Sequence, residues 1–315
     1  MPTPAGKARS GVTFTNLDDP LFDRAGATKR DLVDYLDAIA DRLVPELADR
    51  PLSVIRVHRG QEAFMQKNVP KYTPDWIRTV RMWAEASHRE VAYALCDDRR
   101  TLLWFANQRA VEYHPTLFRA SRPEHPTQLV LDLDPPEFDD SFRHAVAAAQ
   151  LVREELTAVG LASGVKTSGA KGVHVVVPVA GDVTHEAASA ATRALAARAE
   201  RRDPDLATTA FLKDDRGGKV FLDATRAGGA TVVAAYSPRV RPGAPVSFPV
   251  DWDDLDRVKP SDFTIHTAVD LLGDVVWPEP QALPPELVEE GESIPTPRVQ
   301  AMHEGKRRAR ARRAT

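Results

Sequence analysis

The most restrictive pattern in the chain is residues 128–134, which read Gln-Leu-Val-Leu-Asp-Leu-Asp and run directly into Pro135 and Pro136. Side chains alternate between the two faces of a strand, so the three leucines share one face while Asp132 and Asp134 share the other. Two carboxylates about 6–7 Å apart on one face repel each other unless a cation or solvent separates them. The pattern therefore predicts a strand that carries either a site for Mg²⁺ or Mn²⁺ or two acids on a solvated face.

A second pattern is the turn at 168–174, which reads Ser-Gly-Ala-Lys-Gly-Val-His and leads into an apolar strand. Small residues allow the backbone to approach a phosphate closely, and Ser168, Lys171 and His174 add hydrogen-bond donors. The spacing is not that of a Walker phosphate-binding loop. Taken alone, the segment is equally compatible with an ordinary β-turn, and His174 with a structural histidine.

A third pattern surrounds Asp223, which ends an apolar stretch. Basic residues flank this carboxylate on both sides: Lys213, Arg216, Lys219, Arg226, Arg239 and Arg241. Acids that hold a metal and arginines that neutralise phosphate oxygens are the groups that a metal–triphosphate site needs. The alternative is a salt-bridged hairpin.

The charge of the chain is unevenly distributed. A net charge of −3 argues at first against a nucleic-acid partner. However, residues 50–122 carry 13 basic and 7 acidic side chains, whereas residues 251–304 carry 3 and 13. The total is close to neutral because opposite blocks cancel.

Hydrophobic spacing predicts a first helix over 28–47, which begins at a Thr28–Asp31 capping box. It predicts a second helix over 102–112. Residues 220–223 and 231–236 resemble the two strands of a hairpin.

The composition favours a cytosolic protein without a membrane partner. No apolar run approaches the ~18 residues of a membrane helix, and the first residues lack the apolar segment of a signal peptide. The single cysteine, Cys96, excludes a disulfide scaffold and a thiolate zinc cluster, so no zinc is expected.

The three patterns together carry a family resemblance. Residues 129–135, 167–174 and 218–226 match three motifs in order, and upstream landmarks agree at 28–29, 64–67, 104–107 and 112–115. At these residues the chain closely resembles the polymerase domain of bacterial ligase D, a member of the archaeo-eukaryotic primase superfamily. The resemblance extends from about Phe14 to Thr267.

The resemblance implies template-directed nucleotidyl transfer with two divalent ions, Mn²⁺ or Mg²⁺. It implies that the catalytic metal ligands are Asp132, Asp134 and Asp223. It implies nucleotide contacts from Ser168, Lys171, His174, Arg216, Arg226 and Arg239. It implies DNA contacts from Asn16, Lys29, Arg56, Phe64, Met65 and Lys67.

The resemblance also implies the fold, an α+β primase-polymerase architecture. An antiparallel, RRM-like catalytic sheet is expected to pack against a mixed α/β N-terminal module. We expect the domain to span residues 12–276, with the N-terminal module at about 12–125 and the catalytic module at about 126–276. Residues 277–315 are rich in proline and change from acidic to basic, which predicts a disordered tail.

The expected function is repair synthesis: filling short gaps, or extending broken DNA ends that have a 3′ primer, with NTPs or dNTPs. Nothing in the 315 residues suggests ligase or phosphoesterase modules, so a stand-alone, monomeric, nucleoid-associated polymerase is expected. Ku and a separate DNA ligase are the expected protein partners. The alternatives are a primase that makes short primers de novo and a non-catalytic module that binds DNA ends.

The basic run at 306–313 has two interpretations. Its six basic residues in eight either bind DNA phosphates without sequence preference or form a solvated terminus.

Overall fold

A computed structural model describes residues 8–84, 88–227 and 230–296 of the chain. The first elements are two short helices, α1 (Lys29–Ala38) and α2 (Ala40–Leu47). The predicted capping box is confirmed: the side chain of Thr28 accepts from the amide of Asp31, and the Asp31 carboxylate accepts from the amide of Thr28. The single predicted helix is divided at Ile39. Within α2, Pro45 has no N–H to donate to the carbonyl of Asp41, so α2 lacks one helical hydrogen bond.

The N-terminal module is built around a five-stranded antiparallel sheet in which β1 pairs with β2, β4 and β5, and β3 pairs with β4. Its strands are β1 (Leu52–Arg56), β2 (Phe64–Gln66), β3 (Thr79–Ala84), β4 (Arg89–Ala94) and β5 (Ala110–Pro115). A helix, α3 (Arg99–Asn107), packs against α1. A separate two-stranded ribbon, β6 (Phe118–Arg119) and β7 (Arg122–Pro126), leads to the second module.

The predicted helix over 102–112 is wrong in its second half. The helix ends by Asn107, and Arg109 takes a positive φ of 59°, which turns the chain back. Val111 and Tyr113 then lie in β5, where a β-branched and an aromatic side chain are favoured.

The second module, which the resemblance implies is catalytic, contains a six-stranded sheet of order β11-β12-β8-β10-β9-β13, antiparallel except for the β11–β12 pair. Its strands are β8 (Gln128–Asp134), β9 (Gly164–Thr167), β10 (Val173–Pro178), β11 (Ala207–Thr208), β12 (Val220–Asp223) and β13 (Pro249–Val250). Two long helices, α4 (Ser141–Ala158) and α5 (His185–Arg202), contact β8. The leucines of β8 are fully buried in the core. The expected α+β fold with an antiparallel sheet is therefore confirmed.

The predicted hairpin between 220–223 and 231–236 is wrong. Both edges of β12 are already occupied, by β8 and by β11. The chain near 231–236 instead bonds to the N-terminal module: the amide of Ala234 donates to the carbonyl of Tyr113, 2.9 Å away. Tyr35 likewise donates to the carbonyl of Tyr236 at 2.8 Å, so this segment joins the two modules.

Residues 277–296 are ordered, which corrects the expectation that the whole segment after residue 276 is disordered. The ring of Trp277 covers Gly164, and its Nε1 donates to Glu46 at 2.8 Å. Residues 285–292 form α6 (Pro285–Glu292), which packs against α5 and buries Leu287 completely. The sequence interpretation undervalued these few large apolar side chains between the prolines. The basic run at 306–313 lies outside the described residues.

None of the helices in the described ranges is both long enough and apolar enough to cross a membrane.

Replacing Gly291 with alanine is expected to destabilise the protein. A Cβ atom there would lie 1.8 Å from the backbone oxygen of Ala190 in α5. This clash outweighs the roughly 1 kcal/mol that alanine gains over glycine in a helix. We expect the free energy of unfolding to fall by about 1–3 kcal/mol, measured by thermal or urea denaturation. Gly273→Ala, at an open position, is the matched control, and equal melting temperatures for the two variants would contradict this packing.

Candidate active site

Strand pairing brings three functional side chains to one place in the catalytic sheet. In the register of the sheet, Asp132 of β8 lies opposite His174 of β10 on one side and Asp223 of β12 on the other. Directly opposed residues point to the same face of a sheet. Asp134, two residues further along β8, shares that face. The structure thus gathers the three acids that the sequence motifs singled out.

A guanidinium group bridges two of these carboxylates. Nη2 of Arg226 lies 3.3 Å from Asp132 Oδ2 and 3.0 Å from Asp223 Oδ2. Thr225 also donates to Asp223 Oδ1, from its amide at 2.9 Å and from its hydroxyl at 2.6 Å. Burial alone would raise the pKa of Asp132, but the neighbouring His174 and Arg226 hold it well below its usual value. Asp132 is therefore a carboxylate at neutral pH.

The pKa of Asp134 is shifted in the opposite direction. Desolvation in the cleft, although the side chain stays solvent-accessible, and the charges of Asp132 and Asp223 raise the pKa of Asp134 to about 6. A third negative charge is therefore unfavourable at this position, and the site favours the binding of a cation or a proton.

A buried lysine contacts the ring of His174 on the side away from Asp132. Nζ of Lys166 lies 2.8 Å from His174 Nδ1 and donates to Ser247 Oγ at 2.6 Å and to the carbonyl of Val233 at 3.1 Å. Burial and the charge of Arg239 lower the pKa of Lys166 to about 7. When protonated, Lys166 donates to Nδ1, which places the ring proton on Nε2, 3.2 Å from Asp132 Oδ1. Burial and the nearby Lys166 lower the pKa of His174 to about 4, so the imidazole is neutral at pH 7.

Basic side chains face the acids across a cleft of about 520 Å³. Five of the six predicted nucleotide contacts line it: Ser168, Lys171, His174, Arg216 and Arg239. The sixth, Arg226, is not part of the lining and remains paired with the acids. The lining also includes Lys213, Lys219 and Arg241, which the sequence placed near Asp223 without assigning them a role.

The turn at 168–172 packs tightly against its surroundings. A Cβ at Gly172 would lie 2.2 Å from the carbonyl oxygen of Leu133, so only glycine fits there. The hydroxyl of Ser168 accepts from the amides of Ala170 (3.2 Å) and Gly172 (3.1 Å). Ser168 therefore holds the shape of the turn, whether or not it also contacts a ligand.

Comparison with known proteins identifies the family. The family model described as "LigD, primase-polymerase domain" matches residues 28–276. The chain belongs to this family. Its members are nucleotidyltransferases of the primase-polymerase type.

Relatives include the bifunctional non-homologous end joining protein LigD of Bacillus subtilis, which is 35% identical over 266 residues. That match covers 83% of this chain and 42% of the relative, so the chain spans about two fifths of its length. The multifunctional non-homologous end joining DNA repair protein LigD of Mycobacterium tuberculosis is 33% identical over 258 residues, covering 78% of this chain and 33% of the relative.

A solved structure, the polymerase domain from Mycobacterium tuberculosis ligase D in complex with DNA, matches with a TM-score of 0.76 and 31% identity. This match covers 82% of this chain and 93% of that one.

The predicted DNA contacts of this LigD-family chain fall into two groups. Phe64 and Met65 in β2 are 37% and 46% exposed, and the neighbouring Lys67 and the N-terminal Asn16 are exposed as well. These side chains are available to a ligand.

Lys29 and Arg56, in contrast, are buried. Nζ of Lys29 donates to the carbonyl of Thr15 and to Asn107 Oδ1, both at 2.7 Å. Arg56 donates to the carbonyl of Gln108 at 2.8 Å. In the structure, Lys29 and Arg56 therefore donate hydrogen bonds within the protein and hold neighbouring segments in place.

Two functional side chains were missed by the sequence interpretation. The sequence interpretation treated Lys166 only as part of a strand. A charged residue between buried strand positions was a usable signal for a functional role. Glu112 was named only as a family landmark. It accepts from Arg239 Nε at 3.0 Å, which orients that arginine along the cleft. Burial would raise the pKa of Glu112, but its hydrogen bond with His114 and the charge of Arg239 lower it to about 2.

Asp134→Asn is expected to stabilise the metal-free protein in a pH-dependent way. The folded-state pKa of about 6 lies above the ordinary 3.8, so the stability that this carboxyl contributes is present below pH 3.8 and is lost as the pH rises through 6. The variant should therefore melt at a higher temperature than the wild type at pH 8, with no difference near pH 4, measured in EDTA. Glu137→Gln, an exposed acid of the same cleft, is the control. The same pH dependence in both variants would contradict the assignment.

Lys166→Met should raise the pKa of His174, because the positive charge beside Nδ1 is lost while side-chain volume is kept. Side-chain ¹⁵N NMR over a pH series measures this directly, with His174→Gln used to assign the signal. We expect the doubly protonated ring to persist to a higher pH in the variant than in the wild type, since Asp132 still accepts from Nε2. An unchanged His174 spectrum in a folded variant would show that Lys166 does not control the ring.

Proposed function

We propose that this chain is a template-directed DNA-repair polymerase that adds nucleotides at short gaps or broken ends. The observation that carries the proposal is the cleft itself, which Asp132 and Asp134 line together with lysines and arginines, and Asp223 lies opposite Asp132 on the next strand. The relatives named above are non-homologous end joining proteins, which supports a role in end repair.

The acidic side of the cleft has the donor chemistry for divalent cations. Within the described residues, no three His, Cys, Asp or Glu side chains are gathered closely enough to hold a metal ion as they stand. However, one nitrogen of Arg226 contacts both Asp132 and Asp223, so a single cation fits between these carboxylates. Hard carboxylate oxygens suit Mg²⁺ and Mn²⁺. Asp132, Asp134 and Asp223 would hold these ions, which when bound activate the primer hydroxyl and stabilise the leaving pyrophosphate.

The basic side of the cleft is organised in advance for a triphosphate. The guanidinium of Arg216 lies 3.8 Å from the centre of the Phe221 ring and donates to the carbonyl of Phe211 at 3.1 Å. Arg239 is held by Glu112 and by the carbonyl of Ser168. Side chains fixed in this way lose little conformational entropy when a ligand binds. Lys171 adds an exposed positive charge to the cleft, with the carboxylate of Glu137 3.6 Å away.

The neutral His174 fits a role as hydrogen-bond donor beside the acids. Its Nε2–H faces Asp132 and its Nδ1 faces Lys166, so both ring nitrogens are engaged by neighbouring side chains. We assign it to positioning Asp132 and the incoming nucleotide, not to proton transfer.

The exposed Phe64 and Met65 provide an apolar platform for unpaired template bases. Base stacking on such side chains is sequence-tolerant, as a polymerase that copies any template requires. The mycobacterial polymerase domain with the matching fold was solved in complex with DNA, which supports DNA as the partner.

Asp132→Asn and Asp223→Asn are each expected to reduce primer extension by about 10³-fold or more, because each removes a charge that holds the cation. The assay uses a one- to five-nucleotide gap, with and without a 5′-phosphate, with NTPs or dNTPs and with Mg²⁺ or Mn²⁺. Asp139→Asn, an exposed acid outside the cleft, is the control. Wild-type extension by either active-site variant would refute the mechanism.

A primer-free template separates repair synthesis from primase activity. We expect little dinucleotide product under conditions that fill a gap completely. Dinucleotide synthesis at a comparable rate would favour the primase alternative, and DNA binding without extension would favour the end-binding alternative.

A further inference from the structure

A second cavity, of about 370 Å³, lies within the second module between α5, β12 and the residues that follow α6. Three segments form most of its wall: residues 189–197 of α5, residues 221–225 at the end of β12, and residues 294–296. Among the described residues, this cavity and the active-site cleft share no lining residue. We refer to it as the α5–β12 pocket.

Short side chains keep the α5–β12 pocket open. Ala196 and Ala197 of α5 line it from one side and Ala224 from another. Residues 294–296 close the third side because α6 is fixed to α5, where Gly291 packs against the backbone of Ala190. The walls are thus held by a helix, a strand and an anchored segment, so a ligand does not have to order them when it binds.

Arg193 is the only charged side chain among the described residues that line the pocket. The other three arginines of α5 each form an ion pair with a glutamate. Arg193 instead donates to Ser189 Oγ at 2.8 Å and to the carbonyl of Gly291 at 3.0 Å. Within the part of the chain that the structure describes, no carboxylate lies within 4.0 Å of this guanidinium.

The guanidinium of Arg193 keeps unused hydrogen-bonding capacity. It has five N–H groups, and the two bonds to Ser189 and Gly291 use two of them. Its Nε is buried and has no hydrogen-bond partner among the described residues. A half-buried cation without a counter-ion favours an anion beside it, and a carboxylate accepts two of its hydrogens at once.

The chemistry of the wall selects the rest of the ligand. Apolar side chains surround the single positive charge, among them Leu222, Ile294 and Pro295. A nucleotide or a DNA strand brings several negative charges, which one arginine in an apolar wall leaves mostly uncompensated. One carboxylate on an apolar body satisfies both the charge and the wall, and the volume is in the range of small-molecule sites.

The pocket also reaches the segment that orients one of the active-site acids. Thr225 lines the pocket, and its amide and hydroxyl both donate to Asp223 Oδ1. A ligand in the pocket would therefore touch the residue that holds Asp223 without entering the cleft.

We propose that the α5–β12 pocket is a binding site for a small monocarboxylic acid with an apolar body, which pairs with Arg193 and contacts Thr225. The proposal goes beyond the proposed function and does not depend on it, because it involves none of the residues that line the active-site cleft.

The test titrates 4-phenylbutyrate into the full chain and follows the ¹³C-labelled methyl groups of threonine by NMR, with 4-phenylbutanamide as the uncharged probe. The signals of Thr209 and Thr225, which line the pocket, should shift, whereas that of Thr157, exposed on α4, should not. The carboxylate should bind about tenfold more tightly than the amide, because it alone pairs with Arg193. Equal affinities of the two probes for the wild type would contradict the proposal.

Variants locate the binding site. Ala197→Phe fills the pocket and should weaken binding of both probes at least tenfold, whereas Ala158→Phe, at an exposed position of α4 outside both cavities, should bind like the wild type. Arg193→Gln should bind the two probes equally, and melting temperatures show whether each variant is folded. Asp132→Asn should bind both probes like the wild type, so failure of the polymerase mechanism and failure of this proposal give different results. Undiminished binding of 4-phenylbutyrate by folded Ala197→Phe would place the ligand elsewhere, such as among the cations of the cleft, and would overturn the proposal.

Discussion

The antiparallel pairing of β8 with β10 and β12 is the constraint on which the rest of the structure depends. It sets Asp132 between His174 and Asp223, and it does so only in one register. A shift by one residue would move the acids into the core and the leucines into the cleft. Because the leucines of β8 are fully buried, the hydrophobic core fixes the register and thereby the geometry of the charged face. Stability and function use opposite faces of the same strand.

Behind the cleft, buried ionic groups orient the side chains that face the ligand. Lys166 acts on His174, and Glu112 acts on Arg239. Each has hydrogen-bond partners that offset the cost of burying a charge. Both come from strands of different modules, β9 and β5, so correct orientation of the cleft requires that the two modules be docked. The segment near Tyr236, bonded to both, supplies that connection.

The sequence predicted what depends on local pattern. The strand at 128–134, the Thr28 cap and the acids at 132, 134 and 223 all follow from alternation, capping and motif spacing. The sequence predictions were wrong where contacts between distant segments determine the secondary structure. Val111 continues a helical spacing but lies in β5, because Arg109 reverses the chain. Residues 231–236 look like a strand, but β12 has no edge left to pair with them. Lys166 and the packing of α6 depend on contacts with residues far away in sequence, which no local pattern shows.

The bridging position of Arg226 has a thermodynamic consequence. A cation that bound between Asp132 and Asp223 would have to displace the guanidinium that now lies between them. The apparent affinity for that cation would then depend on two free energies, that of the cation and that of Arg226 at the same carboxylates. A change at Arg226 would alter it as much as a change at the carboxylates. Without that cation, the guanidinium offsets the repulsion between Asp132 and Asp223, while Asp134 still meets the charges of both.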